Sequence, residues 1–310
     1  MRAPVPVISV GNLTAGGTGK TPLVIHLARA LLDRGARPAV LARGYGAARD
    51  GEPNDELLLA REEVPGLLLF PGRDRSARIA EAVGAGATLI LLDDGFQHRR
   101  VARDFDLVLI DASDPWGPGG LLPRGLLREP RTALRRADLV LITRAEQVGA
   151  DALAAIEAEV RAVGYAGPVG RIHVHPRDLL PIDRPGYPEP VESLRGARVL
   201  AACAIGNPEA FRATLLGLGA RVQELVTFPD HAPLGPAEVA AVEAQAGRAD
   251  ADRIVVTAKD AVKLRPHLAG ERPIRWLSLR IDVRPEPADV LASVLTLPGR
   301  SAPPGEATHG

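Results

Sequence analysis

Short apolar runs recur through the first half of the chain at residues 5–10, 38–41, 67–70, 88–92, 107–110 and 139–142. Each is short and almost uninterrupted, as expected of a strand buried on both faces. Between them lie stretches with apolar residues three and four apart. These predict helices over 22–34 (PLVIHLARALLDR, closed by Gly35), 75–85 and 150–163. Strands alternating with helices predict an α/β fold, a doubly wound parallel sheet with helices on both faces. The rhythm breaks over 168–190, where GRIHVHP runs into several prolines and reads as a linker with short strands. A second α/β pattern follows: a strand from Val199, a helix over 208–218, a strand over 221–226, a helix over 236–246 and a strand over 254–257. The expected organisation is a nucleotide-binding and catalytic domain at 1–169, a linker at 170–190, a smaller α/β domain at 191–297 and a disordered Pro/Gly-rich tail at 298–310.

Composition narrows the function classes. Lys plus Arg number 38 and Asp plus Glu number 38, so overall charge gives no argument for a nucleic-acid partner. One cysteine, Cys203, excludes an internal disulfide framework and a cysteine metal cluster, and suits a reducing compartment. No signal peptide is visible, and no apolar stretch reaches the roughly 18 residues of a membrane span. A cytosolic or peripheral protein is expected.

The first apolar run leads into VPVISVGNLTAGGTGKTP. The strict phosphate-loop pattern G-x-x-x-x-G-K-[ST] would place a glycine where Thr14 stands. The physical ingredients are nevertheless present over Thr14, Ala15, Gly16, Gly17, Thr18, Gly19, Lys20 and Thr21. The glycines let backbone N–H groups approach phosphate, and the next helix offers its positive N-terminus. Lys20 can meet the β- and γ-phosphates, and Thr21 can bind magnesium. Partition-type ATPases carry a second lysine where this chain has Ala15, and Thr143–Arg144–Ala145–Glu146 matches the base-reading loop of GTPases only loosely.

Acidic residues supply the second ingredient. The run at 88–92 ends in Asp93–Asp94, at the strand end where doubly wound folds bind ligands. These carboxylates could hold magnesium directly or through water, or be ordinary strand-end acids. Asp111 repeats the pattern more weakly. Asn54–Asp55–Glu56 is either a capped helix start or a carboxylate pair for activating an alcohol. Arg73 and Arg75 could neutralise transferred phosphate, and His231 in FPDHAPLG could serve as a base. His173 and His175 lack a third ligand and read as structural or exposed; His98 is ambiguous.

Taken together, VPVISVGNLTAGGTGKTP, ARGYG, Asn54–Asp55–Glu56, Arg75, DDGFQHR, FPDH and TAKDAVK resemble the tetraacyldisaccharide 4′-kinase family, in order, from residue 5 to about 263. The resemblance implies ATP and Mg2+ as cofactors and transfer of the γ-phosphate to the 4′-hydroxyl of an acylated glucosamine disaccharide 1-phosphate, giving lipid IVA. It also implies a cleft between two domains and a peripheral place on the cytoplasmic face of the inner membrane. Carried over, it makes Asp55 the acceptor-activating carboxylate, assisted by His231, with Lys20 and Arg75 on the phosphate. Glu56 serves magnesium or catalytic geometry, and Thr21, Asp93 and Asp94 organise the metal. Gln97, His98 and Arg99 help shape the nucleotide and substrate site.

Two features depart from the pattern. Only four residues precede the first run, where the family has an amphipathic segment, and Ala258 stands where the family has glutamate. Membrane contact is then sought in residues 116–130 (WGPGGLLPRGLLREP). There, leucines could touch acyl chains while Arg124 and Arg128 meet phosphate, or the stretch is an ordinary surface loop. Other readings of the loop and acids are a different cytosolic P-loop kinase or ligase, or a non-enzymatic nucleotide switch, neither of which has a use for DDGFQHR together with FPDH.

Overall fold

The computed structural model describes residues 1–43, 53–183, 187–230, 232–268, 270 and 272–296. The tail expected at 298–310, the Gly44–Tyr45–Gly46 of ARGYG and His231 lie outside the described residues. The chain forms two compact units, one of residues Met1–His173 with Val283–Gly310, the other of Val174–Asp282.

In the first unit the chain forms β1 (Val7–Asn12), α1 (Lys20–Leu32), β2 (Pro38–Ala42), α2 (Asp55–Glu63), β3 (Leu68–Pro71), α3 (Arg75–Gly84), β4 (Leu89–Asp93), β5 (Phe105–Asp111), β6 (Leu139–Thr143) and α4 (Ala150–Ala162). The strand order is β3-β2-β4-β1-β5-β6, extended by β7 (Val169–Pro181). Every pairing among these strands is parallel. β1 lies between β4 and β5, so the chain moves outward on one side of β1 and then resumes on the other. The C-terminal ends of β1 and β4 therefore meet at the point where doubly wound sheets bind ligands.

The strand registers bring Val7, Ile90, Val108 and Val140 onto one face of this sheet, which α3 and α4 cover in two adjoining clusters. α1 packs on β1, β2 and β4 from the other face, where Ile8, Val40 and Leu91 are buried. Ile79 and Ala82 of α3 pack with Val7, Leu41, Ile90 and Leu92. On a separate cluster, Ile156 and Val160 of α4 pack with Val108, Ile110, Val140 and Ile142. The neighbouring strand residues alternate between faces, as a pleated strand requires. β1 starts two residues later than the apolar pattern suggests and runs on to Asn12. Pro6 has no N–H to give the ladder, whereas Gly11 and Asn12 pair with Val108 and Leu109. α1 starts two residues earlier than the pattern, directly behind left-handed Gly19 (φ 83°).

The second unit contains part of β7, then β8 (Arg198–Cys203), α5 (Pro208–Gly217), β9 (Arg221–Thr227), α6 (Pro236–Arg248), β10 (Arg253–Thr257), α7 (Ala258–Leu264) and most of β11 (Arg275–Glu286). Its strands run β11-β10-β8-β9, with parallel pairings. Alternate residues of β8 serve opposite cores. Val199, Ala201 and Cys203 join Phe211 and Leu215 of α5, while Leu200 and Ala202 join Val239 and Val242 of α6. The stretch expected to hold short strands contains a single 13-residue strand, β7. Pro176 lies in mid-strand and Pro181 at its end, and the apolar positions Ile172, Leu179 and Pro181 supply buried anchors along it. The short helix α8 (Ala292–Leu295) returns to the first unit and packs on α1.

Candidate active site

The loop between β1 and α1 is held from two sides. On one, the segment after β5 straps it: Ala15 N–H donates to the Leu126 carbonyl at 2.7 Å, and Arg128 N–H donates to the Leu13 carbonyl at 2.7 Å. On the other, two consecutive residues at the end of β6 grip loop carbonyls. Thr143 Oγ1 donates to Thr18 O at 2.9 Å, and Arg144 Nη2 donates to Gly17 O at 2.9 Å. A peptide group is planar and trans, so pinning a carbonyl turns the N–H of the same peptide the opposite way. The N–H groups of Thr18 and Gly19 thus face away from β6. The amides of Gly16, Gly17, Thr18 and Gly19 make no hydrogen bond among the described residues. The amide of Ala15 is committed to the strap, which leaves anion binding to the glycines onward.

Asn12 closes the base of the loop. Its Nδ2 donates to Thr14 O at 2.6 Å, and its Oδ1 accepts from Lys20 Nζ at 3.0 Å. Its carbonyl accepts from Gln97 Nε2 at 3.0 Å. The strand carrying Asn12 lies against the DDGFQHR turn because Gly11 has no side chain. A Cβ there would sit 2.5 Å from Phe96 Cβ.

The paired carboxylates at the end of β4 have opposite environments. Asp94 stands in the left-handed region (φ 55°), which a non-glycine residue adopts at a cost of about 1 kcal/mol or more. Its oxygens face two cations: Lys20 Nζ at 3.6 Å and Arg128 Nη1 at 2.6 Å. Burial opposes its charge, but Lys20 and Arg128 together outweigh that and hold the carboxyl below its ordinary range. Asp93 is buried, and burial pushes its carboxyl upward against the pull of Lys20. Its Oδ1 is buried without a hydrogen-bond partner.

Arg75, the first residue of α3, is 4% exposed. Its Nη2 donates to Asp93 O at 3.1 Å, while Nη1 is buried without a partner. Burial lowers its pKa, and the charges of Asp93 and Asp94 work the other way. The chain thus brings Lys20, Asp93, Asp94, Arg75 and Gln97 to one place. To these the fold adds Asn12, Arg128, Thr143 and Arg144, which the sequence motifs did not single out as site residues. Asp111, read as a weaker strand-end acid, is occupied. It pairs with Arg144 and accepts from Ser113 N–H at 3.0 Å and Ser113 Oγ at 2.7 Å.

Asp55 and Glu56 open α2, the helix that packs on α1. Asn54 caps it, its Oδ1 accepting from Leu57 N–H at 3.2 Å, and Asp55 is buried. His98 is half-buried; burial first, then Arg75, Arg100, Arg103 and Arg43, lower its pKa. Arg73 and Arg99 are exposed. His173 pairs with Glu286 at 2.6 Å.

In the second unit, TAKDAVK forms the start of α7. Thr257 caps it, and the fully buried Asp260 accepts from Ala204 N–H at 3.1 Å and Thr257 Oγ1 at 2.7 Å. Lys259 pairs with Asp230 at 3.3 Å and Lys263 donates to Ala232 O at 3.2 Å. The two lysines therefore hold the residues on either side of His231. Ala258 is simply the first residue of the helix.

Comparison with known proteins gives one consistent answer. The family model described as LpxK, tetraacyldisaccharide-1-P 4′-kinase, matches residues 1–297. The chain is 43% identical over 309 residues to the tetraacyldisaccharide 4′-kinase of Syntrophus aciditrophicus, covering 92% of this chain and 82% of the relative. It is 42% identical over 312 residues to that of Anaeromyxobacter dehalogenans strain 2CP-1, covering 95% and 82%. Among solved structures it is similar to LpxK from Aquifex aeolicus, described as an apo form in complex with ATP. The TM-score is 0.68 at 27% identity, over 95% of this chain and 90% of the other.

Proposed function

The chain belongs to the tetraacyldisaccharide 4′-kinase family, and on that premise we propose that the site around Lys20 is where ATP gives up its γ-phosphate. The enzyme transfers this phosphate to the 4′-hydroxyl of tetraacyldisaccharide 1-phosphate, producing lipid IVA in lipid A biosynthesis. Family membership replaces the readings as another P-loop enzyme or a nucleotide switch. The observation that carries the site assignment is the pinned loop with Lys20 held between Asn12 and Asp94.

This geometry supports the phosphate roles, and the family pattern the acceptor roles. The free amides of Gly16 to Gly19 receive phosphate oxygens. Lys20 exchanges its contact with Asn12 for the β- and γ-phosphates, while Asp94, itself held by Arg128, keeps its ammonium aimed along the loop. The orphan Nη1 of Arg75 supplies a further donor for charge leaving on the transferred group. Asp55 takes the proton of the 4′-hydroxyl, and His231 assists it electrostatically.

The residues present suit a magnesium ion. Asp93 offers a buried, unsatisfied Oδ1, Thr21 follows Lys20 at the helix start, and Glu56 opens α2. Asp94 is already neutralised by two cations, so Asp93 is the better ligand and Asp94 the organiser of the surroundings. No cluster of three or more His, Cys, Asp or Glu residues that could hold a metal occurs among the described residues. When bound, magnesium would neutralise charge on phosphate oxygens.

We also place the protein peripherally at the cytoplasmic face of the inner membrane, because its substrate is a tetraacylated lipid. Among the described residues no helix is long and apolar enough to cross a membrane.

The test is transfer of radiolabelled γ-phosphate from ATP to detergent-dispersed tetraacyldisaccharide 1-phosphate with magnesium. Lys20→Ala and Asp55→Ala are each expected to lower kcat by about 10²-fold or more, and His231→Ala to lower it less. Unimpaired labelling by Lys20→Ala would sink the site assignment.

A further inference from the structure

We propose that the tight loop at Leu121–Arg124 is a docking surface for an anionic bilayer, rigidly joined to the phosphate loop. The proposal rests on the lipid-kinase reading. Leu121 and Leu122 are 47% and 52% exposed, the only adjacent pair of exposed large hydrophobics among the described residues. Pro123 and Arg124 beside them are exposed too. Four consecutive exposed residues form a projecting tip, which cannot enclose an acyl chain but can enter a headgroup layer.

The charge at the tip matches such a layer. Between Pro115 and Arg128 the only charged side chains are Arg124 and Arg128. Arg128 is engaged with Asp94, whereas Arg124 has no ion pair or side-chain hydrogen bond among the described residues. A leucine pair beside an uncommitted guanidinium suits the boundary between acyl chains and lipid phosphate.

The tip is also built to hold its shape. Arg124 and Gly125 N–H both donate to Leu121 O, at 2.8 and 3.0 Å. Leu122 N–H donates to Leu127 O at 2.9 Å, and Leu127 N–H donates to Gly120 O at 3.0 Å. Gly125 lies so close to Gly120 that a Cβ would clash with its backbone. The next residues are the strap itself: Leu126 and Arg128 hold Ala15 and Leu13, and Leu127 is buried in the core. Leucines held outward on a loop this constrained are not there for packing. Docking at the tip would set the orientation of the phosphate loop against the plane in which the lipid substrate lies.

Cosedimentation of the full chain with phosphatidylethanolamine–phosphatidylglycerol vesicles tests this, with phosphatidylcholine vesicles as the neutral control. Leu121→Ser/Leu122→Ser is expected to weaken partition to the anionic vesicles by roughly tenfold or more. Arg124→Glu is expected to weaken it severalfold and to remove the preference for anionic over neutral lipid, while Arg124→Lys retains both. In detergent micelles all three variants should keep the parent's kcat and KM for ATP, since none alters the strap. Parent-like partition by both the double variant and Arg124→Glu would overturn the proposal. A parent that labels the lipid without binding vesicles would overturn it while leaving the kinase reading intact, and a parent that never labels the lipid would overturn that reading. Should the double variant lose micellar activity through misfolding, the exposed Arg124 pair still decides the matter.

Discussion

The chain has only three lysines, Lys20, Lys259 and Lys263, against a large excess of arginine, and all three sit in the motifs. One lies at the end of the β1–α1 loop, and two hold the residues that flank His231 in sequence, Asp230 and Ala232. A compact ammonium suits these positions, while a planar guanidinium serves where two directions must be met at once. Arg198 shows the second case. Its guanidinium donates to both oxygens of Asp252, and its own N–H donates to Asp252 Oδ2 at 3.0 Å. These bonds lower the Asp252 pKa to about 2. The folded value lies below the ordinary 3.8, so the contribution to stability is present above about pH 4 and is lost as pH falls towards 2. A carbon-detected NMR titration should find Asp252 still ionised near pH 3, and Arg198→Ala should return it towards its ordinary value. An unchanged midpoint in that variant would break the assignment. Lys20, Asp93 and Asp94 were legible in the sequence because strand, glycine loop and acid-ended strand occur in a fixed local order. Arg128 and Arg144 were not, since nothing local distinguishes them from other arginines and only the sheet brings them to the loop.

At the scale of elements, β6 acts on a loop far away in sequence. Thr143 and Arg144 were read only as a poor match to a base-reading loop, yet they grip Thr18 O and Gly17 O. Arg144 divides its guanidinium, Nη1 to Asp111 and Nη2 to Gly17 O, a span that the single nitrogen of a shorter lysine does not cover. Arg144→Lys should therefore keep the ion pair and lose the grip on the loop. We expect KM for ATP to rise roughly tenfold with little change in kcat at saturating ATP. A fall in kcat alone, with KM unchanged, would mean the grip does not act through nucleotide binding. The alternating apolar runs revealed the strands and helices because strands buried on two faces have few other ways to read. Their ends shifted where the backbone decides: Pro6 delays β1, and left-handed Gly19 advances α1. The single long β7 was hidden because its polar sequence, with Pro176 in its middle, resembles a connection.

The whole molecule carries one tryptophan in each unit: Trp116 in the first, 6% exposed, and Trp276 in the second, fully buried. Trp276→Phe and Trp116→Phe variants thus report on each unit separately. With ATP at about a hundred times its Kd, the unfolding midpoint seen by Trp116 should rise, corresponding to about 2.7 kcal/mol. A shift seen first by Trp276 would place the nucleotide in the other unit. The first unit is also discontinuous, since residues from Val283 onward belong with Met1–His173. Val294 and Leu291 of that returning stretch are buried, and α8 rests on α1, the helix that begins with Lys20. During synthesis, then, the phosphate loop is made before the second unit, but the helix behind it is covered only by residues made after that unit. The second unit, contiguous from Val174 to Asp282, can finish folding meanwhile. A nascent chain arrested before Val283 would display the whole kinase motif with its supporting helix still uncovered.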